Sequence, residues 1–339
     1  MKRPTVQSLL VTGGTGFLGS ALVRCLVERG HRVRVLDNNS RGDRRRLAEN
    51  GDRVELVEAD IRDAAAVEKA TAGVDGVFHL ASLNGTEFFY QKPDLVLEVG
   101  VKGMVNVMDA CVKHRVKELL VASSSEVYQT PPSFPAAETV PLSIPDPMNP
   151  RYSYATTKIL NEVMAVNYGR KYFERVIIFR PHNVYGRDMG WEHVIPQFVL
   201  RMKELCRQED GPVRFPIQGT GRETRAFMFI DDFVAALLRI WEEGEHLNIY
   251  NIGTMEEVAI AQVAAIIGKE FGRQVEILPG RVAEGSPSRR CPDTSKLAAM
   301  GFRPSYTLEE GLPGVVRWYR DHVPPDPGPV HAGRDDGGE

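Results

Sequence analysis

Residues 8–19 read SLLVTGGTGFLG. An apolar run of strand length passes directly into glycines, and an apolar stretch at helical spacing follows, so the segment predicts strand, tight turn and helix. Gly13, Gly16 and Gly19 fit G-x-x-G-x-x-G, while Gly14, Gly16 and Gly19 fit G-x-G-x-x-G. Glycine is needed where the backbone turns tightly, where it approaches a pyrophosphate with no Cβ in the way, and where the helix packs closely on the sheet. Phe17 and Leu18 then open the helix, whose first N–H groups face outward to an anion. The plain alternative is a turn that binds nothing. Against it stands Asp37, an acidic residue at the end of the next strand. Asp37 can accept from both adenosine ribose hydroxyls, whereas a 2′-phosphate would meet like charge, so NAD is expected rather than NADP. Arg41, Arg44, Arg45 and Arg46 follow closely and could hold an extra phosphate; we read them as a solvated helix face.

Outward from this turn, β-branched runs alternate with helix-length segments to about residue 180. Strands are expected at Ser8–Thr12, Arg32–Asp37, Val54–Ala59, Gly76–Leu80, Glu118–Ser123 and Arg175–Arg180, with helices at 17–29, 63–71, 95–114 and 153–172. The fold class is therefore α/β, a doubly wound parallel sheet of Rossmann type. Ligands of such sheets sit at the carboxyl ends of the strands, which adds Asn38, Asp60, Ile61, Leu80, Ala81 and Ser82 to the expected cofactor lining. His79, on an apolar strand end, reads as structural. Thr130 to Pro150 is rich in proline and must be a surface loop.

After Arg180 the pattern shifts to loops rich in Gly, Pro and Arg, with helices near 192–208, 231–243, 258–271 and 306–321. We expect a dinucleotide domain of residues 1–180 plus roughly 226–254, and a smaller interleaved α/β substrate part of 181–225 and 255–322. Residues 323–339, without apolar periodicity, are expected to be disordered.

With 339 residues, 42% hydrophobic and 26% charged, the chain has the make-up of a globular protein, and its net charge of -3 gives no general reason to bind nucleic acid or a membrane surface. The four cysteines are widely spaced and form no CxxC pair, so reduced thiols are expected. The apolar run Ser8–Thr12 is too short for a signal segment and no later stretch has transmembrane length, so a cytoplasmic location is expected; no metal is expected.

SYATTK places Tyr154 and Lys158 four apart on a helix, on one face. An ammonium near a phenol favours the phenolate, as does the positive nicotinamide ring of bound NAD, which makes Tyr154 a candidate base. Such a pair is common on exposed helix faces. Its position gives it weight here: it follows a strand ending in SSSEVY, which delivers Ser123, Ser124, Ser125 and Glu126 to the same end of the sheet.

From about residue 8 to 321 the chain resembles the extended short-chain dehydrogenases/reductases, the nucleotide-sugar epimerases and dehydratases. TGGTGFLG, LDNNSRG, HLAS, SSSEVY, YATTK, RPHNVYG, RAFMFIDD and RRCPD carry the resemblance in order. It implies that Ser124 bonds a sugar 4-hydroxyl, Tyr154 removes its proton, Lys158 also binds the nicotinamide ribose, and NAD takes the C4 hydride and returns it. It further implies a nucleotide-diphosphate sugar as substrate and a homodimer built on the helices of residues 95–114 and 153–172, where Val101, Met104, Val105 and Met108 suit an interface and suit core packing equally well. The substrate motifs offer Asn183, Arg225 and Arg290; arginine's planar fork suits a diphosphate, and Phe215 is a candidate to stack on the base.

Two departures from the family pattern stand out. Gly100 occupies a position that often holds asparagine, and Arg187 one that often holds proline. The reaction expected is epimerisation through a 4-keto sugar. The alternatives are a 4,6-dehydratase or a UDP-glucuronate-type decarboxylase using Glu126, since decarboxylases have similar S/T-S-E-V-Y and R-x-P-D strings, or a net reductase/dehydrogenase. Ser125 stands where dTDP-glucose dehydratases carry aspartate, which disfavours that subtype.

Overall fold

The computed structural model describes residues 6–208, 211–282 and 287–322; the expected disorder of 323–339 lies outside them. Seven parallel strands form the main sheet: β1 (Ser8–Thr12), β2 (Arg32–Asp37), β3 (Val54–Glu58), β4 (Gly76–His79), β5 (Glu118–Ala122), β6 (Arg175–Pro181) and β7 (Asn248–Ile252). Their spatial order is β3-β2-β1-β4-β5-β6-β7. The chain thus winds one way from β1 and then restarts at β4, and the crevice between the carboxyl ends of β1 and β4 is the topological switch point.

Helices cover both faces, which is why the central strands read as nearly unbroken apolar runs. On one face α1 (Phe17–Glu28) packs with α7 (Ile230–Glu243), burying Leu22, Leu26, Phe233 and Leu237 against Val11, Val35 and Phe179. On the other, α2 (Ala64–Thr71), α4 (Pro93–Lys113) and α5 (Ser153–Tyr172) bury Val67, Met104, Val107 and Met108 against Leu10, Val77 and Val121. Met104 and Met108 are therefore core residues, the alternative that the sequence left open; of that set Val105 is exposed.

A third cluster lies beyond the sheet. It joins α6 (Val194–Gln208), α8 (Ile260–Glu270) and α10 (Leu308–Asp321) to the strand Val213–Ile217 through Phe198, Val199, Ile267, Val315 and Phe215. All eight predicted helices and six predicted strands are present within a few residues of their expected ends. The strand β7 had no separate signal, because NIYNI is short and half polar. It is held by five parallel pairings to β6, and its asparagines serve other ends.

Fully buried Asn251 on β7 donates through Nδ2 to the carbonyls of Ala136 and Asp293, both at 3.0 Å, and accepts from the Tyr128 hydroxyl at 2.8 Å. Buried Arg180 on β6 donates to both oxygens of Glu162, to the Tyr128 hydroxyl and to the Glu138 carbonyl. This network fastens the proline-rich 130–150 loop and the RRCPD segment to the ends of β5, β6 and β7. A long segment without regular structure is thereby fixed beside the site.

Candidate active site

A continuous cleft of about 1690 Å³ opens at the switch point, between the sheet and the third cluster. That exceeds the roughly 300–1,000 Å³ of a site for one small ligand. Gly13, Gly16, Phe17, Leu18, Gly19, Asp37, Asn38, Asp60, Ile61, Leu80, Ala81 and Ser82 line one end; Ser124, Ser125, Glu126, Tyr154, Lys158, Asn183, Arg225 and Arg290 line the rest.

The glycine turn meets the demands of both packing and a ligand. Gly13 has φ 74°, and a Cβ there would sit 2.7 Å from the Ala81 nitrogen. A Cβ on Gly19 would strike the Gly13 carbonyl. Gly16 differs: its Cβ would meet only the Gly13 oxygen, at 3.2 Å, and otherwise enter the cleft. No side chain caps α1, so its first N–H groups are open to a phosphate. Asp37 is fixed by the turn itself, accepting from the Thr15 N–H at 3.0 Å and the Asn39 N–H at 2.9 Å. Asn38 donates to Asp60 at 3.0 Å, and hydrogen bonds from Arg62 hold the Asp60 carboxyl below its ordinary range. These features fit a dinucleotide pyrophosphate on the turn and a ribose at Asp37.

The run Arg41–Arg46 is a solvated helix face only in part. Arg44 and Arg45 open a 3-10 segment (Arg44–Arg53) and are exposed, whereas Arg41 pairs with Glu192, and Arg46, with Arg45 beside it, pairs with Asp188. Partners more than 140 positions away left no local signal.

Tyr154 and Lys158 share a face of α5 and point into the cleft beside Ser124. The Ser124 and Ser82 hydroxyls both hydrogen-bond the Tyr154 side chain, whose ring stacks on Phe89 at 5.2 Å. Lys158 lies 5.5 Å from the Tyr154 ring centroid and donates to the Ala122 carbonyl at 2.7 Å. Burial pushes the tyrosine up to about 12, with the serine hydrogen bonds opposing it and the Glu126 charge adding to it. Burial also brings Lys158 down to about 8, against the pull of Glu162. In the chain without cofactor the ammonium lies over the ring, and desolvation outweighs it. His79 is structural as read, bonding Thr12 Oγ1 at 2.8 Å, with burial lowering it to about 3.

At the substrate end the Arg290 guanidinium lies 2.7 Å from the Glu126 carboxylate. Burial disfavours the charged carboxylate, but Arg290, with Arg151 and Arg225 beyond it, outweighs burial and holds Glu126 below its ordinary value. Arg225 donates to the carbonyls of Thr224 at 2.8 Å and Pro287 at 2.9 Å; burial and the like charge of Arg290 lower it to about 10. Arg151, which sequence reasoning passed over because it sits in the loop before α5, lines the same end. Its buried Nε has no partner among the described residues. Asn183 adopts φ 34° and donates to the Ala226 carbonyl at 3.3 Å.

Phe215 does not line the cleft. It is fully buried with an edge contact to Phe198 at 5.0 Å, so its assignment as a base-stacking residue is corrected. In VRFPI the alternation buries Val213, Phe215 and Ile217, a period-2 signal that marks Phe215 as core. Pro216, Gln218 and Arg201 face the cleft there.

Residues 9–253 match the model of the family described as NAD dependent epimerase/dehydratase family. A putative UDP-glucose 4-epimerase of Methanocaldococcus jannaschii is 30% identical, over 93% of this chain and 99% of that protein. A UDP-N-acetyl-alpha-D-glucosaminuronate decarboxylase of Bacillus cytotoxicus is 31% identical, over 92% of this chain and 97% of that protein. Among solved structures, the Thermus thermophilus UDP-glucose 4-epimerase in complex with NAD superposes with a TM-score of 0.81 at 28% identity, covering 93% of this chain and 100% of that one.

Proposed function

The chain belongs to the NAD dependent epimerase/dehydratase family, and from that premise we propose that it is a nucleotide-sugar epimerase working through a transient 4-keto sugar. The observation that carries this reading is the meeting of Ser124, Tyr154 and Lys158 in the same cleft as the dinucleotide turn.

Bound NAD supplies a hydride acceptor and a positive charge at this end of the cleft. Ser124 holds the C4 hydroxyl, and Tyr154 takes its proton as the C4 hydrogen leaves as hydride. The buried phenol, raised to about 12 in the chain alone, becomes a base only with cationic charge beside it. Lys158, above its ring, is the group this chain provides for that purpose. The same phenol, once protonated, returns the proton when the ketone is reduced from the other face.

Arg151, Arg225 and Arg290 suit the diphosphate. Three guanidiniums face one carboxylate there, and the unpartnered Nε of Arg151 and the depressed basicity of Arg225 both favour an added anion. The third cluster is then the substrate part, with the sheet and its helices as the NAD part.

A second reading is favoured by the Glu126–Arg290 pair. A carboxylate kept ionised next to Tyr154, with an arginine beside it, suits a sugar acid whose 4-keto form loses CO₂. Incubation with UDP-, GDP-, CDP- and dTDP-sugars and with UDP-sugar acids, followed by NMR, separates the two. Epimer formation without CO₂ supports the first; CO₂ release from a sugar acid would establish the second.

Assembly as a homodimer rests on the apolar side chains left exposed on two adjacent helices: Leu97 and Val105 on α4, and Leu160 and Val163 on α5.

A further inference from the structure

The arginine run after Asp37 is the sequence feature that the reaction leaves unused. Basic residues at this place beside an adenosine ribose are what a 2′-phosphate requires, yet the family is NAD-dependent. We infer that Asp188 and Glu192 are cofactor-specificity residues: by pairing with Arg41, Arg45 and Arg46 they deny a 2′-phosphate these three guanidiniums, while Arg44, exposed, lines a separate surface pocket and not the cleft that Asp37 lines.

The geometry is specific. Thr15 joins the two halves of the argument, since its N–H donates to Asp37 at 3.0 Å and its carbonyl accepts from Arg46 Nη1 at 3.1 Å. Arg46 therefore reaches the turn that fixes the ribose-facing carboxylate. Its other nitrogens are taken by Asp188, Nε by Oδ2 at 2.8 Å and Nη2 by the carbonyl at 2.7 Å. Arg45 pairs with the same carboxylate at 3.1 Å and with Asp43 at 2.8 Å. Arg41 pairs with Glu192 and lies 4.9 Å over the Phe88 ring. Arg41, Arg46 and Glu192 all line the cleft that Asp37 lines.

The segment bearing the two carboxylates is shaped for this contact. Asp188 is held at φ 58°, in the left-handed region that side chains enter only where the surroundings hold them there. Gly190 leaves room for the Glu192 carboxylate, which a Cβ there would strike. A 2′-phosphate would have to displace a carboxylate from each arginine while remaining within reach of its charge. Discrimination thus comes from Asp37 by direct repulsion and from Asp188 and Glu192 by sequestering cations.

The test uses the full chain and four ligands: 5′-ADP and NAD⁺ without, and 2′,5′-ADP and NADP⁺ with, the 2′-phosphate. Calorimetry at fixed salt compares Asp37→Ser with Asp37→Ser/Asp188→Asn/Glu192→Gln. The inference predicts that the second pair of substitutions raises the affinity ratio of 2′,5′-ADP to 5′-ADP roughly tenfold or more beyond Asp37→Ser alone, and that a further Arg46→Gln removes part of the gain. An unchanged ratio in a triple variant that still binds 5′-ADP overturns it. Should the Asp188 substitution prevent folding, Asp37→Ser/Glu192→Gln is the deciding variant: Arg41 released from its more exposed pair must still raise the ratio, and no rise counts against the inference.

Discussion

Arg290, the last residue of the short strand Arg289–Arg290 that opens the RRCPD motif, holds the Glu126 carboxylate at 2.7 Å, joining the segment after β5 to one more than 160 positions later. Neither group is free to act alone. Removing the arginine leaves a largely buried carboxylate facing only the more distant Arg151 and Arg225. Arg290→Met should cost about 1–3 kcal/mol at neutral pH. The folded-state pKa of Glu126 lies below its ordinary 4.5, so this contribution is present above that value and fades as pH falls through the folded value. Urea melts should show the difference between parent and variant shrinking below pH 4.5; a difference independent of pH would mean that the pair contributes nothing through charge.

Lys158 gives the opposite sign. Its folded value, brought down to about 8 from 10.5, means that the buried ammonium costs stability below the folded value and that the cost is relieved as pH rises toward 10.5. The chain without cofactor should therefore gain stability, relative to Lys158→Met, between about pH 8 and 10.5. Parallel stability curves for the two proteins across that window would contradict it.

Gly100 explains itself in the fold. A Cβ at this position of α4 would lie 2.6 Å from Thr157 Cβ on α5, so the helices meet where the asparagine common in relatives has no room. Gly100→Ala should destabilise by about 1–3 kcal/mol through overpacking, and Gly100→Ala/Thr157→Gly, which removes the Cβ that is struck, should recover part of it, less the cost of a second glycine in a helix. Thermal melts of the two variants check this; equal loss in both would place the strain elsewhere.

The proposed dimer makes its own demand. Val105→Asp/Val163→Asp, on exposed positions of α4 and α5, should yield a monomer by light scattering while the parent is a dimer. A monomeric parent would remove the proposal.

Much of this was legible before any coordinates. The alternation of strands and helices and the Gly13–Gly19 turn are local patterns, and local patterns fixed the sheet, the cleft and the positions of Asp37, Ser124, Tyr154 and Lys158. What escaped depended on distant partners. The Arg41–Arg46 run looked solvated because Asp188 and Glu192 lie far along the chain. Arg151 carried no motif. The acidity of Tyr154 depends also on how deeply it is buried, which the spacing to Lys158 does not report. Phe215 was misread although its strand's alternation pointed inward.

The central claim is that Tyr154 and its neighbours oxidise C4 of a nucleotide sugar and return the same hydride. NMR of the protein with nucleotide sugars deuterated at C4 tests it most directly. The account predicts a C4 epimer that keeps its deuterium, and no product from Tyr154→Phe, whose NAD binding is retained. Loss of the C4 deuterium to solvent, or normal turnover by Tyr154→Phe, would contradict it.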